Sequence, residues 1–141
     1  MQYLGMFAAG IVAACGGGGP AGGGNNNGGN GGGAPPPPPN ADVVIEIIDN
    51  AFVDPQGRQN TQAMVQVQTG QTVGWVHRGG TQHTVTSSSV PAGAANFDSG
   101  TLNRGDTFVV GAVTPLAVGT YKYFCQFHPA IMREATIVVT A

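Results

Sequence analysis

Three side chains that can bind a metal lie within eight residues near the end of the chain. The stretch "CQFHPAIM" places a thiol at Cys125, an imidazole at His128 and a thioether at Met132. Pro129 interrupts the strand pattern before it, and a turn at this point would gather the three side chains around one point. These residues alone allow two interpretations, a metal site or an end-of-strand turn that contains a buried free cysteine.

The cysteine count favours the metal interpretation. The chain has two cysteines, and Cys15 lies in a segment that we expect to be processed. Cys125 then has no partner for the internal disulfide that exported β-domains commonly form. Structural zinc sites use cysteine and histidine without methionine, whereas one cysteine, two histidines and a weak axial methionine describe a blue-copper site. Such a site needs a second histidine, and the candidates are His77 and His83.

Short, alternating and β-branched stretches surround these residues and predict an all-β domain. Glycine-containing turns separate the stretches, and none of helical length shows a 3.6-residue period. Seven or eight short strands in about 100 residues are typical of a β-sandwich. The predicted strands cover residues 43–48, 64–69, 72–77, 83–87, 106–110, 120–125 and 136–140.

Strand alternation assigns the side chains to the two faces of the sheet. In "TYKYFC", Cys125 shares one face with Tyr121, while Lys122 and Phe124 share the other. Because a lysine marks its own face as the solvent side, we expect Cys125 to point inward and Phe124 to be partly exposed. In "TVGWVH", Trp75 is the expected centre of the core.

The beginning of the chain has a different composition. Residues 1–14 carry no charge and are mostly apolar, which predicts a signal peptide, since a bilayer-spanning helix needs about 20 residues. They lead into "VAAC", which resembles a bacterial lipobox and implies that Cys15 is acylated. No lysine or arginine precedes the apolar run, and cleavage without lipidation is the alternative.

Residues 15–40 are rich in glycine, asparagine and proline, which is typical of a disordered tether. We therefore expect residues 41–141 to form one domain that a lipid anchors to a membrane surface. The expected location is the bacterial cell envelope, in the periplasm or on the outer surface.

The order of motifs in residues 41–141 resembles the cupredoxins, in particular the plastocyanin, amicyanin and pseudoazurin group. The stretch "CQFHPAIMREATIVV" after "GTYKYF" looks like their C-terminal copper loop, and "VQTGQTVGWVHRGGTQHTVTS" looks like their upstream ligand region. The resemblance implies a Greek-key β-sandwich that holds one type 1 copper ion. It implies that the ligands are His83, Cys125, His128 and Met132.

Three positions depart from the family pattern. Three residues separate His128 from Met132, where the family has two or four, so Met132 is the least specified ligand. His77 replaces an asparagine that hydrogen-bonds to the cysteine loop, which implies a supporting role beside the ligands; a plain strand histidine is the alternative. Gln82 replaces a proline that often precedes the first ligand.

The predicted function is transfer of single electrons by Cu(I)/Cu(II) cycling, and not enzymatic catalysis. A site closed by four protein ligands leaves no open position for a substrate. The resemblance implies that electrons pass through the edge of His128, and that Pro129, Ala130 and Ile131 form the contact patch for transient redox partners. Phe124, beside the thiolate, is a second possible exit.

The charge of the chain excludes nucleic acid as a partner. The formal net charge is -2 and lysine plus arginine number five, too few for a basic footprint. We expect a monomer. Two other functions stay open from the sequence, namely copper delivery without electron transfer and a metal-free interaction module.

Overall fold

The structure is a computed structural model that describes residues 41–141. The predictions for the signal peptide, for Cys15 and for the tether lie outside these residues. The described part contains eight strands and one short 3-10 helix, at Asn60–Gln62. The strands are β1 (Val43–Ile48), β2 (Ala51–Val53), β3 (Met64–Gln68), β4 (Val73–His77), β5 (Thr86–Ser89), β6 (Thr107–Val110), β7 (Gly119–Phe124) and β8 (Ala135–Thr140).

The strands form two sheets of four. One sheet has the order β2-β1-β4-β6 and the other has the order β3-β8-β7-β5. Both sheets are mixed, because β1 runs parallel to β4 and β3 runs parallel to β8, while the remaining pairs are antiparallel. The predicted all-β sandwich of seven or eight strands is confirmed.

The core lies between the sheets and is centred on Trp75. This side chain is fully buried and packs edge-on against Tyr123, with the ring centroids 5.3 Å apart. Cys125, the first residue after β7, is buried like Tyr123, whereas Lys122 is exposed and Phe124 is half-buried. The expected alternation along β7 is therefore confirmed.

Two strands differ from the sequence prediction by more than one residue at a boundary. The three-residue strand β2 was not predicted, because it is too short to show alternation. The strand predicted at residues 83–87 begins only at Thr86. The reason is that side chains occupy the preceding amides: the Thr84 N–H donates to Cys125 Sγ (3.3 Å) and the Val85 N–H donates to Ser99 Oγ (2.8 Å). The segment before Thr86 therefore cannot form a regular ladder.

Two loops meet at one end of the sandwich and bring the candidate ligands together. The segment after β4 carries His83 toward β5, and β5 pairs with β7 so that Thr86 lies opposite Phe124. Cys125 follows β7 directly. No helix among residues 41–141 is long and apolar enough to span a bilayer.

Candidate metal centre

Three donor atoms converge where these loops meet. One ligand atom each from His83, Cys125 and His128 lies within 4.8 Å of the other two. The Sγ atom of Cys125 is 3.6 Å from Nδ1 of His83 and 3.6 Å from Nδ1 of His128. Metal–ligand bonds of about 2.0–2.3 Å from one central ion place donors at separations of this size. The donor set of one thiol and two imidazoles therefore fits a soft metal such as copper.

The position of the Cys125 sulfur is fixed by the backbone on both sides. It lies on the inward face at the end of β7 and is fully buried. The Thr84 N–H donates to Sγ, and the Cys125 N–H donates to the carbonyl of Met132 (2.9 Å). Hydrogen bonds to a ligating sulfur tune the redox potential of a copper site.

A tight turn closes the loop from Cys125 to Met132. The His128 N–H donates to the Cys125 carbonyl (3.2 Å), and the N–H groups of Ile131 and Met132 both donate to the His128 carbonyl (3.1 and 2.9 Å). The three residues between His128 and Met132 thus form one compact turn that returns the chain to Cys125. The Met132 side chain is fully buried in the same core cluster as Cys125.

His83 is held as a neutral imidazole. Burial lowers its pKa to about 4, the neighbouring His77 and His128 add to this shift, and Asp49 opposes it. A histidine binds a metal through a deprotonated ring nitrogen, so the form present at neutral pH is the ligating form.

His77 lies beside the site but does not make the contact that the resemblance implies. Its ring is buried, with its centroid 5.0 Å from that of His83, and Nε2 is 2.8 Å from the Thr81 carbonyl oxygen. Its Nδ1 is buried without a hydrogen-bond partner, and neither ring nitrogen bonds to the cysteine loop. The imidazole instead reaches back to its own loop.

Thr84 links the two loops instead. Its hydroxyl accepts a hydrogen bond from the N–H of Gln126 (2.9 Å), in addition to the bond between its own N–H and Cys125 Sγ. This residue was not among the site residues predicted from the sequence. The sequence indicates only that a hydroxyl side chain directly follows a candidate ligand. The contact with the cysteine loop is not visible there, because the two segments are neighbours only in the folded structure.

The half-buried His128 lies within an exposed apolar surface. The predicted patch at residues 129–131 is exposed, with Ile131 54% exposed, and Phe127, which the sequence analysis did not include, is 50% exposed. Phe124 is half-buried on β7. The residues adjoining the partly accessible ligand are therefore mainly apolar.

The profile of copper binding proteins of the plastocyanin/azurin family matches residues 53–140. The chain belongs to this family. No curated protein matches it. Two similar solved structures are the reduced state of an amicyanin mutant and a purple cupredoxin from Nitrosopumilus maritimus. The amicyanin mutant is 25% identical with a TM-score of 0.52, and the match covers 70% of this chain and 81% of the amicyanin chain. The purple cupredoxin is 27% identical with a TM-score of 0.51, and the match covers 70% of this chain and 100% of the purple cupredoxin chain.

A copper-containing nitrite reductase from Thermus scotoductus shows the same fold within a longer chain. It is 20% identical with a TM-score of 0.54, and the match covers 70% of this cupredoxin and 22% of the reductase. This likeness concerns the fold alone. Copper is the cofactor implied by the family, and His83, Cys125 and His128 with Met132 form the pattern of a type 1 copper site.

Replacing the methionine tests its role as the axial ligand. Met132→Leu keeps a buried apolar side chain and removes the sulfur. Because a thioether stabilises Cu(II) more than leucine does, the variant should still bind copper, with a higher reduction potential. We expect a rise of more than about 59 mV, which corresponds to a tenfold change in relative affinity for the two oxidation states.

The potential is measured by voltammetry of the copper-loaded protein. The matched control is Met64→Leu on β3, which β8 separates from β7. The control should keep the wild-type potential. An unchanged potential in Met132→Leu would show that Met132 is not a ligand.

Proposed function

We propose that this cupredoxin carries single electrons between redox proteins. The observation that carries the proposal is the convergence of one thiol and two imidazoles, of which two are buried and the third, His128, is half-buried. We assign the copper ligands as His83, Cys125, His128 and Met132. Bound copper would supply a one-electron Cu(I)/Cu(II) couple.

The chain holds its donors in fixed positions, which suits electron transfer. The Cys125 sulfur accepts a hydrogen bond from the Thr84 N–H, and the Cys125 N–H donates to the Met132 carbonyl. His128 lies within the same closed turn. Such donors do not need to move when the charge on the site changes. A site that is filled by its own ligands also has no position for a substrate.

The transfer requires only electrons. The protein accepts one electron from a reduced protein donor and passes one electron to an oxidised protein acceptor, with no bond formed or broken. The amicyanin mutant to which this chain is similar is described in a reduced state. This supports, by likeness, a role in which the protein alternates between two redox states.

His128 and its apolar neighbours form the proposed contact surface. The half-buried imidazole lies beside Phe127 and residues 129–131, which are exposed. A small apolar surface around a ligand allows a partner to approach closely and to leave quickly, as transient redox contacts require. Phe124 is less exposed than Phe127, and we assign it only as a secondary route for the electron.

Removing the thiol tests the copper site itself. Wild-type protein with Cu(II) should show an intense thiolate-to-copper absorption band and a reversible one-electron reduction. Cys125→Ser removes the thiolate and should abolish the band, as visible spectroscopy of the titrated protein would show. Cys15→Ser, which changes the other cysteine of the chain, is the control and should keep it.

An unchanged spectrum in Cys125→Ser would overturn the proposed site. Tight Cu(I) binding by wild-type protein without the band would indicate copper delivery. Absence of copper binding would leave a metal-free interaction module.

A charge in the contact surface tests the electron route. Ile131→Asp places like charges face to face when two molecules meet through this surface, and such repulsion costs several kcal/mol. Electron self-exchange between oxidised and reduced protein should therefore slow by about tenfold or more, at an unchanged absorption spectrum. NMR line broadening in mixtures of the two states measures the rate.

The control is Val113→Asp, at a side chain that is 97% exposed. It lies in the loop after β6, near Gly111, which approaches Gln71 at the opposite end of β4 from the site. The control should exchange at the wild-type rate. Equal rates in both variants would exclude the proposed surface.

We further propose that the domain works in the bacterial cell envelope, anchored through an acylated Cys15. The support is the sequence of residues 1–40, with its apolar run, its "VAAC" motif and its tether composition. Mass spectrometry of membrane-extracted protein should find an N-terminal Cys15 that carries acyl chains, and Cys15→Ser should move the protein to the soluble fraction. A wild-type protein found soluble and unmodified would contradict the anchor.

A further inference from the structure

The hydroxyl of Thr81 lies between a carboxylate and a proposed copper ligand. Its Oγ1 is 3.0 Å from Asp49 Oδ1 and 3.1 Å from His83 Nε2. An ionised carboxylate only accepts hydrogen bonds, so the hydroxyl proton of Thr81 is donated to Asp49. The Thr81 oxygen must then accept a hydrogen bond from the Nε2–H of His83.

This order of donors decides which nitrogen of His83 is free. A neutral imidazole carries one proton, and here the bond to Thr81 holds that proton on Nε2. The lone pair is therefore on Nδ1, the atom that lies 3.6 Å from Cys125 Sγ. A proton on Nδ1 instead would block metal binding at that nitrogen. It would also leave the Thr81 oxygen without a hydrogen-bond donor.

We propose that Asp49 and Thr81 are positioning residues that fix the tautomer and orientation of His83 through this relay of two hydrogen bonds. The inference rests on the proposed role of His83 as a copper ligand. Metal-bound histidines usually donate their second N–H to such a partner, and losing the partner typically lowers metal affinity by about 10–100-fold.

The Asp49 carboxylate is held in place for this role. Asp49 occupies the tight turn between β1 and β2, and its Oδ1 also accepts the backbone N–H groups of Gly80 (2.7 Å) and Thr81 (3.0 Å). The bond from the Thr81 N–H, followed by that from Gly80, keeps the pKa of this carboxyl below its usual value. Asp49 therefore stays an acceptor.

Gly79 allows the two loops to approach. A Cβ atom at this position would lie 2.6 Å from Asp49 Oδ1 and 2.8 Å from the Asp49 backbone nitrogen, closer than atoms can pack. Only glycine permits the loop after β4 to lie against the turn that carries Asp49.

The backbone of Thr81 is also fixed at its carbonyl group. Its carbonyl oxygen accepts a hydrogen bond from His77 Nε2 (2.8 Å), so that His77 carries its proton on Nε2. Thr81 is thus held by Asp49 at its N–H and by His77 at its carbonyl, which orients its hydroxyl toward His83. This assigns His77 a role on the histidine loop.

The relay is tested first in metal-free, full-length protein. Nitrogen-15 NMR at neutral pH reports the tautomer of His83. Wild-type protein and Thr81→Ser, which keeps the hydroxyl, should show the Nε2–H form. Thr81→Val keeps the backbone bonds to Asp49 and removes only the hydroxyl, so it should show a mixture of tautomers. Thr107→Val, at an exposed threonine on β6, should behave as wild type.

The second measurement is copper affinity, by competition with a chelator. Thr81→Val should bind copper about 10–100-fold more weakly, and Thr81→Ser should restore the affinity. Asp49→Ala should weaken binding as well. Wild-type tautomer and affinity in Thr81→Val would overturn the relay. If only Asp49→Ala weakens binding, Asp49 acts by anchoring the loop and the relay is likewise wrong.

The NMR measurement also separates this inference from the function on which it rests. If wild-type protein fails to bind copper, the proposed function fails, whereas the tautomer of His83 still reports whether the relay exists.

Discussion

The metal centre depends on the pairing of β5 with β7. This register places Thr86 opposite Phe124, and His83 and Cys125 lie just outside the paired residues, 42 positions apart in the chain. A slip of one residue would turn every side chain of the strand to the other face of the sheet. The Cys125 sulfur would then lose both the Thr84 N–H and the imidazole of His83. The remaining features of the site are built around this contact.

The core on one side and the closed turn on the other give the site its rigidity. Cys125 and Met132 belong to the same buried cluster as Trp75, so their side chains are confined by packing. The turn around His128 is fixed by its own backbone hydrogen bonds and leaves this histidine half-buried. The same arrangement therefore holds the donors still and brings one of them to an apolar surface. Both properties suit the proposed exchange of electrons with a partner.

The first hairpin supports the site from a distance. Because β1 runs parallel to β4, with Ile47 paired to His77, the turn that follows β1 lies beside the loop that follows β4. Asp49 thereby reaches Thr81, which is 32 residues away, and accepts hydrogen bonds from its backbone N–H and its hydroxyl group. A strand pair that is needed for the sandwich also positions a carboxylate two hydrogen bonds from His83.

The sequence by itself determined the features that depend on local spacing. The two-residue alternation of a strand predicted that the Cys125 side chain points inward, and short β-branched stretches predicted the sandwich. The cluster of donor side chains from Cys125 to Met132 predicted the metal-binding loop. The spacing of residues left His77 and His83 both open as the second histidine ligand, and only the family resemblance implied His83. The tertiary structure places His83 against the sulfur and shows that Thr84, rather than His77, joins the two loops. These outcomes depend on hydrogen-bond partners that strand pairing brings together from distant parts of the chain. The spacing along a single strand contains no information about them.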